Sequence, residues 1–407
     1  MSKRTALCVA AVVAVAGLAV SAATASPKKP TTQKKSHLLV GINDEADTLY
    51  GDPLSAFNTL RTLRTQVLRV NMYWGGTKWA IANKARPNDP TDPGDPAYDW
   101  SLYDRLVMYA HTYNIQLVFS ILFTPKWANG GKARNVAPKN FKDLEDFAYA
   151  AAERYSGLWI PPTWQQNASL GIGNMPLPKV NMWTAWNEPN NPVFLSPQYK
   201  RVGKSWRVES AYQYARICNA IMAGVHSQYL GPLPDEHVAC GVTDPKGNDA
   251  PRSSRASVDP LTFFAQAHRF GMKDFDVYAH HPYADRGIEK PSYVPKGKHK
   301  RRIQLGNINL LLKQISRYYG PKHLWITEYG YQTNPPKKGI FGIPWKTQST
   351  YLAQAYAIAR KNRRIDMMLW FMVRDDPNLK NGWQSGLMTV AGKKKPSWNT
   401  FRRLPRG

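Results

Sequence analysis

The sequence predicts a (β/α)8 barrel, one catalytic-scale α/β domain with eight parallel strands inside and helices outside. Three observations predict it. Apolar runs of strand length alternate with stretches of helical period, and the alternation occurs eight times between Leu38 and Leu404. The length available after the N-terminal segment suits such a barrel. No Gly-rich fingerprint follows the first strand, which removes the rival doubly wound open sheet; Gly203-Lys204-Ser205 is not a P-loop because position 198 is Gln198.

The elements follow in order. "LLVGIN" from Leu38 is the first strand, and Asp52 to Arg64 the first helix. Val67 to Trp74 is the second strand; a turn-rich segment, "RPNDPTDPGDPAYDW", leads to a helix from Asp99 to Tyr113. "IQLVFSIL" and the helix Lys139 to Tyr155 come third. The fourth strand begins at Val180 and ends in "WNEPN", with a helix from about Arg207 to Tyr229. "HVACGV", "FDVYAHHPY", "HLWIT" and "MMLWFMV" are strands five to eight. Their helices are Leu261 to Phe270, Ile303 to Tyr319, Thr347 to Arg360 and Ser397 to Leu404. There is no solenoid-type repeat and no boundary for a second domain.

The N-terminus reads differently. Lys3 and Arg4, an apolar run from Ala6 to Val20, and Ala23-Thr24-Ala25 form a secretory signal pattern over residues 1–25. Residues 26–36, "SPKKPTTQKKS", form a basic Pro/Lys/Thr tether, and 37–407 is the folded domain. The expected product is a secreted, extracellular monomer without a transmembrane segment. Cys8 lies in the signal, so Cys218 and Cys240 are left either to pair or to remain two buried thiols.

The 407 residues carry a formal net charge of +27. Such a surface attracts anions, so association with an anionic envelope or an acidic glycan is expected to weaken with salt. No zinc-finger spacing, basic zipper or RNA-binding signature accompanies the charge, which argues against specific nucleic-acid recognition.

In a barrel the functional groups sit at the carboxyl ends of the strands. Glu188 ends strand four, where Pro189 stops the ladder, and Glu328 ends strand seven before Tyr329-Gly330. Asp44, Glu45, Arg69, Asn71, Trp127, Asn187, His281, Tyr283 and Trp370 complete the list of strand-end residues. HExxH, paired cysteine ligands and Gly-x-Ser-x-Gly are all missing from the sequence, so metal hydrolysis and serine esterase chemistry lack their parts, and no metal or other cofactor is implied.

An Arg in strand two, "NEP" ending strand four, "HxY" ending strand six, "TEYG" ending strand seven and a Trp in strand eight together resemble the clan A glycoside hydrolases, which include family 5 cellulases and family 39 xylosidases. The resemblance implies retaining hydrolysis of a carbohydrate substrate, with Glu188 as acid/base and Glu328 as nucleophile. In that chemistry Arg69 keeps Glu328 ionised, Asn187 donates to the sugar 2-hydroxyl, His281 positions the acid/base, and Tyr283 donates to Glu328. Trp370 is expected as the floor under the sugar, with Trp127 and other loop tryptophans as stacking platforms. Two alternatives use the same cleft: a catalytically silent carbohydrate-binding barrel, and a transglycosylase.

Overall fold

A computed structural model describes residues 38–162, 175–227 and 235–406. The signal-like segment and the tether lie outside the described residues. Eight strands form a closed, all-parallel barrel: β1 (Leu39–Asn43), β2 (Val67–Tyr73), β3 (Gln116–Leu122), β4 (Met182–Ala185), β5 (His237–Thr243), β6 (Val277–His280), β7 (His323–Tyr329) and β8 (Ile365–Phe371). Each strand pairs with its neighbours in sequence, and β1 closes the ring against β8, from Leu39 opposite Met367 to Asn43 opposite Phe371.

The expected helices are present: α1 (Pro53–Thr62), α2 (Ser101–Thr112), α3 (Lys142–Arg154), α4 (Glu209–Val225), α5 (Pro260–Arg269), α6 (Asn309–Tyr319), α7 (Trp345–Lys361) and α8 (Pro396–Arg403). Their starts are written locally. Asp52 accepts from the amides of Leu54 and Ser55 with Pro53 next to it, and Asp259 with Pro260 repeats the device. Helices α3 and α4 approach so closely that a Cβ on Gly224 would sit 2.2 Å from the Glu145 carbonyl oxygen. A disulfide joins Cys218 of α4 to Cys240 of β5, which settles the open choice between a pair and two thiols. Among the described residues no helix is long and apolar enough to cross a membrane. The sequence reading missed a hairpin, Tyr199–Val202 with Ser205–Val208, between β4 and α4.

Period-two alternation along the strands separates two apolar layers. Val67, Val118, Met182, Ala239, Val277, Trp325, Met367 and Leu369 fill the lumen. The opposite faces of the same strands, Leu68, Phe119, Trp183, Cys240, Tyr278, Ile326, Met368 and Trp370 among them, pack outward on the helices.

The alternation breaks where polar groups are delivered. Ile326 pairs with Met368 and Tyr329 with Trp370, so β7 uses three steps where β8 uses two. That bulge turns both Thr327 and Glu328 inward; regular alternation would have put one of them in the helix layer. A second bulge follows Gly241 of β5, whose φ of +91° places Val242 in the lumen. Non-glycine residues with positive φ gather at the same rim: Phe123, Trp186, Glu188, Val242 and Met372.

Candidate active site

Strand β4 ends at Ala185, and the next three residues carry the chain to the cleft. Trp186 has φ +73° and Glu188 φ +38°, and the Glu188 amide donates to the Val242 carbonyl at 2.8 Å. The bend is fixed from behind: Asn190 donates to the Asp244 and Val258 carbonyls, and its Oδ1 accepts from the Asp244 amide. Glu188 is therefore placed by β5 as well as by its own strand.

Glu328 arrives through the β7 bulge. Its Oε1 accepts from Arg69 Nη1 at 2.6 Å, and its Oε2 from the Tyr283 hydroxyl at 3.1 Å. Arg69 has no exposed surface, and its other nitrogens donate to Asn187 Oδ1 at 2.7 Å and Ser120 Oγ at 2.8 Å. One guanidinium thus orients the residue next to one glutamate and neutralises the other.

On the far side His281 Nδ1 lies 2.9 Å from Glu188 Oε1, and its Nε2 lies 3.0 Å from Thr327 Oγ1. A carboxylate oxygen of Glu188, one of Glu328 and a ring nitrogen of His281 all lie within 4.8 Å of one another.

The two carboxyls have opposite electrostatics. Burial first, and the charge of Glu328 second, push Glu188 up to about 8. Burial acts upward on Glu328 too, but it is outweighed by positive charge on His281 and Arg69 and by hydrogen bonds from Arg69 and Tyr283, which hold this carboxyl below its ordinary value. Burial also lowers His281 to about 4, so its positive charge bears on Glu328 only in the acid range, and near neutral pH the imidazole is uncharged and Arg69 is the cation that keeps Glu328 ionised.

These groups open into a cleft of about 810 Å³. Asn187, Glu188, Asp244, Tyr283, Glu328 and Trp383 line its centre; Asp44, Glu45, Asn71 and Tyr73 line one flank. Glu45 accepts from the Asn71 amide at 3.0 Å and the Tyr73 hydroxyl at 2.9 Å.

No family model matches the sequence, and no curated protein matches it. Solved structures do share its architecture. A glucosidase from Croceicoccus marinus superposes with a TM-score of 0.60 at 13% identity, over 90% of this chain and 67% of that one. A family 39 glycoside hydrolase from the gut symbiont Bacteroides cellulosilyticus WH2 gives 0.58 at 16% identity, over 90% of this chain; this chain spans 63% of that one's length. Fungal beta-1,4-galactanases give 0.55 at 12% identity, over 90% and 99% of the two chains. What this chain shares with these glycoside hydrolases is the (β/α)8 barrel fold.

The structure brings together Glu188, Glu328, Arg69, Asn187, His281 and Tyr283. Arg69 and His281, expected to act on the two carboxyls, are fully buried behind them and contact Glu328 and Glu188 directly. Asn187 and Tyr283 reach the cleft wall.

Trp370 and Trp127 require correction. Trp370 has no exposed surface, belongs to the helix-facing layer and donates to the Ser385 carbonyl at 2.9 Å. The neighbouring residue, Phe371, faces the cleft instead, because adjacent strand residues point to opposite sides. Trp127 packs edge-on against Trp74 and donates to the Ala82 carbonyl at 2.8 Å, away from the cleft. The exposed aromatic wall is Trp383, against Tyr283 and Phe371 with ring centroids 5.5 Å from each. Asp375 pairs with Lys395 at 2.7 Å and has no place in the cleft.

Sequence reasoning missed Asp244 as a third carboxylate beside Glu188. Asn191 Nδ2 bridges them, 3.1 Å from Asp244 Oδ2 and 3.4 Å from Glu188 Oε2. Nothing near "VTDP" marks that role; only the closure of β5 beside β4 creates it.

Three clustered donors, Glu188, His281 and Glu328, have the spacing of a metal site. Their lone pairs are already engaged with each other, Thr327, Tyr283 and Arg69, and a guanidinium 2.6 Å from Glu328 would oppose a cation. The arrangement is better suited to moving a proton.

Proposed function

We propose that the protein is a retaining glycoside hydrolase acting on β-linked oligo- or polysaccharides. One observation carries this reading: two buried glutamates within 4.8 Å, one held ionised by Arg69 and the other pushed up to about 8. Retaining hydrolysis calls for carboxyls about 5–5.5 Å apart in opposite protonation states, whereas an inverting pair stands about 6.5–9.5 Å apart. A protein that only held carbohydrate would have no use for such a pair, since two juxtaposed carboxyls cost desolvation and add no contact that amides and aromatics lack. The β configuration is carried over from the beta-1,4-galactanases that share the fold.

In the first step Glu328 attacks the anomeric carbon while Glu188 gives its proton to the departing glycosidic oxygen. A covalent glycosyl ester forms and the aglycone leaves neutral. Esterification removes the charge of Glu328, the repulsion on Glu188 falls, and Glu188 becomes the base that takes a proton from water. Water then attacks the same carbon, releases Glu328 and restores the starting configuration.

His281 serves both steps without gaining charge. One neutral tautomer suits both: Nδ1–H donates to Glu188 Oε1, which leaves Oε2 to carry and later regain the transferred proton, and the Thr327 hydroxyl donates to Nε2. Asn187, oriented by Arg69, presents its amide N–H group to the sugar 2-hydroxyl.

Export is part of the proposal. It is supported by the signal-like residues 1–25 and by the Cys218–Cys240 disulfide, which an oxidising compartment preserves.

The test is turnover of aryl β-glycosides and β-linked polysaccharides by the parent and by Glu188→Gln. The reading expects hydrolysis with net retention in the parent. In the variant it expects a loss on the order of 10²–10⁴-fold on substrates with poor leaving groups. Equal inactivity of both proteins, with glycan binding intact, would replace it with the binding-barrel alternative.

A further inference from the structure

We propose that the cleft takes a polyanionic glycan, one whose sugars bear carboxylate or sulfate groups, with those groups lying along the wall built by the loops after β4, β5 and β6. The inference rests on the hydrolase reading of the cleft and adds its substrate class.

The two walls of the cleft differ in charge. On the β1 side the cleft is lined by Asp44 and Glu45, and residues 44–52 hold no Lys or Arg. On the β6 side, seven Lys or Arg residues lie between Arg286 and Arg302, against Glu289 as the sole acid of that span. The hairpin after β4 adds Lys200, Arg201 and Lys204, while the β5 loop is balanced, with Lys246, Arg252 and Arg255 against Asp244, Asp249 and Asp259.

These loops form one surface. The Tyr199 hydroxyl contacts Asp249 at 3.4 Å, Arg301 lies 3.7 Å from Asp259, and the Ile303 amide donates to the Pro245 carbonyl at 2.9 Å.

A strongly cationic chain will expose lysines somewhere, and a solvated face is the ordinary explanation. What separates this strip from such a face is its continuity with the active site. Lys246, Arg286 and Arg302 line the same cleft as Glu188. Lys246 and Arg302 converge on one carboxylate, Asp285, leaving a surplus of positive charge at the wall. The Arg286 guanidinium forms no salt bridge among the described residues, and neither do the ammonium groups of Lys290, Lys296, Lys298 and Lys300 along the same loop. Cations lining a concave, low-dielectric cleft focus potential far better than the same charges on an open surface.

A neutral glycan has no group that this wall would recognise. An anionic one does, and the β1 flank, with Asp44 and Glu45, offers it no cation. Nucleic acid shares the charge, but a phosphodiester backbone offers no O-glycosidic bond to the Glu188–Glu328 pair, and its binding is an outcome of the test.

The test measures binding to the full chain carrying Glu188→Gln, so that no probe is cut. The probes are β-1,4-linked mannuronate oligomers, sulfated β-glucan oligomers, neutral β-glucan oligomers and a single-stranded DNA oligonucleotide. At low salt the inference expects at least one anionic glycan to bind about tenfold or more tighter than the neutral one, with the advantage lost as salt rises. Arg286→Ala, and separately Lys296, Lys298 and Lys300→Gln, should each bring that affinity toward the neutral level while circular dichroism stays unchanged.

Preference for the mannuronate oligomers assigns uronates, and preference for the sulfated β-glucan assigns sulfate esters. Equal binding of neutral and anionic glycans, indifference to the loop substitutions, or DNA binding as tight as the best glycan would overturn the inference. Parent activity separates the two claims. Charge-independent hydrolysis of neutral polysaccharide sinks the inference alone, whereas charge-dependent binding of anionic glycans that are never cut sinks the hydrolase reading alone.

Discussion

Arg69 Nη1 donates to Glu328 Oε1 across 2.6 Å, from a side chain with no exposed surface. In this position a guanidinium does two jobs, because its second arm holds Asn187 at 2.7 Å. The charge fixes the protonation state of one carboxylate of the pair and the fork fixes the neighbour of the other.

Replacing Arg69 should therefore act on ionisation as well as on rate. In Arg69→Met, Glu328 loses its permanent cation, its pKa rises, and the acidic limb of kcat/KM moves to higher pH, with a drop on the order of 10²–10³-fold at the optimum. Arg69→Lys should keep more of the limb position but lose the Asn187 contact. A pH profile that is scaled down with unmoved limbs would assign Arg69 a structural role only.

The raised carboxyls set two pH dependences. Glu188 at about 8 places the alkaline limb of activity there, since its proton is consumed in the first step. Stability follows the same groups. Glu188, together with Asp44 and Asp244 at about 7, binds protons in the folded state at pH values where an unfolded carboxylate has lost them. Folded pKa values above unfolded ones mean that stability falls as pH rises, from the ordinary carboxylate range up to about 8. The thermal midpoint should be higher near pH 5.5 than near pH 8.5, and Asp44→Asn should flatten the decline. A midpoint that climbs across this window would contradict the assignment.

The aromatic assignments separate by kinetics. Trp383 is 42% exposed on the cleft wall, so Trp383→Ala should raise KM by about 3- to 10-fold. Trp370→Phe should leave KM unchanged and lower thermal stability, because its ring packs on helices and its N–H is committed to the Ser385 carbonyl. The opposite pattern in steady-state kinetics and melting curves would restore Trp370 as the sugar floor.

The Cys218–Cys240 link closes a loop across 22 positions between α4 and β5, directly behind the Glu188 bend. The Cys218→Ser, Cys240→Ser double variant should lose about 2–4 kcal/mol in denaturant unfolding. Full stability without the bond would show that packing of α4 alone holds this corner.

The order of strands and helices was legible in the sequence because each has its own period and stop signal. Asp52-Pro53 and Asp259-Pro260 announce helices, and Pro189 announces the end of a buried run. The glutamates were legible as polar groups at strand ends. Facing was not. Trp370 and Phe371 are adjacent and equally apolar, and only the closure of β8 against β1 decides which one meets the cleft. The bulge in β7 is likewise invisible in "LWITEYG", yet it turns Glu328 inward. Asp244 could not be paired with Glu188 because 56 positions and a whole helix separate them in the chain. Trp127 sits just beyond its strand, as a cleft residue would, but its N–H is used by the Ala82 carbonyl.

The central claim is that Glu328 attacks the anomeric carbon. The most direct measurement uses Glu328→Ala with an activated aryl β-glycoside, with and without azide. The account predicts near-complete loss of turnover, then recovery by azide, with an α-configured glycosyl azide as product because the small anion enters the space left by the carboxylate. Recovery as a β-configured azide, or residual hydrolysis close to that of the parent, would contradict it.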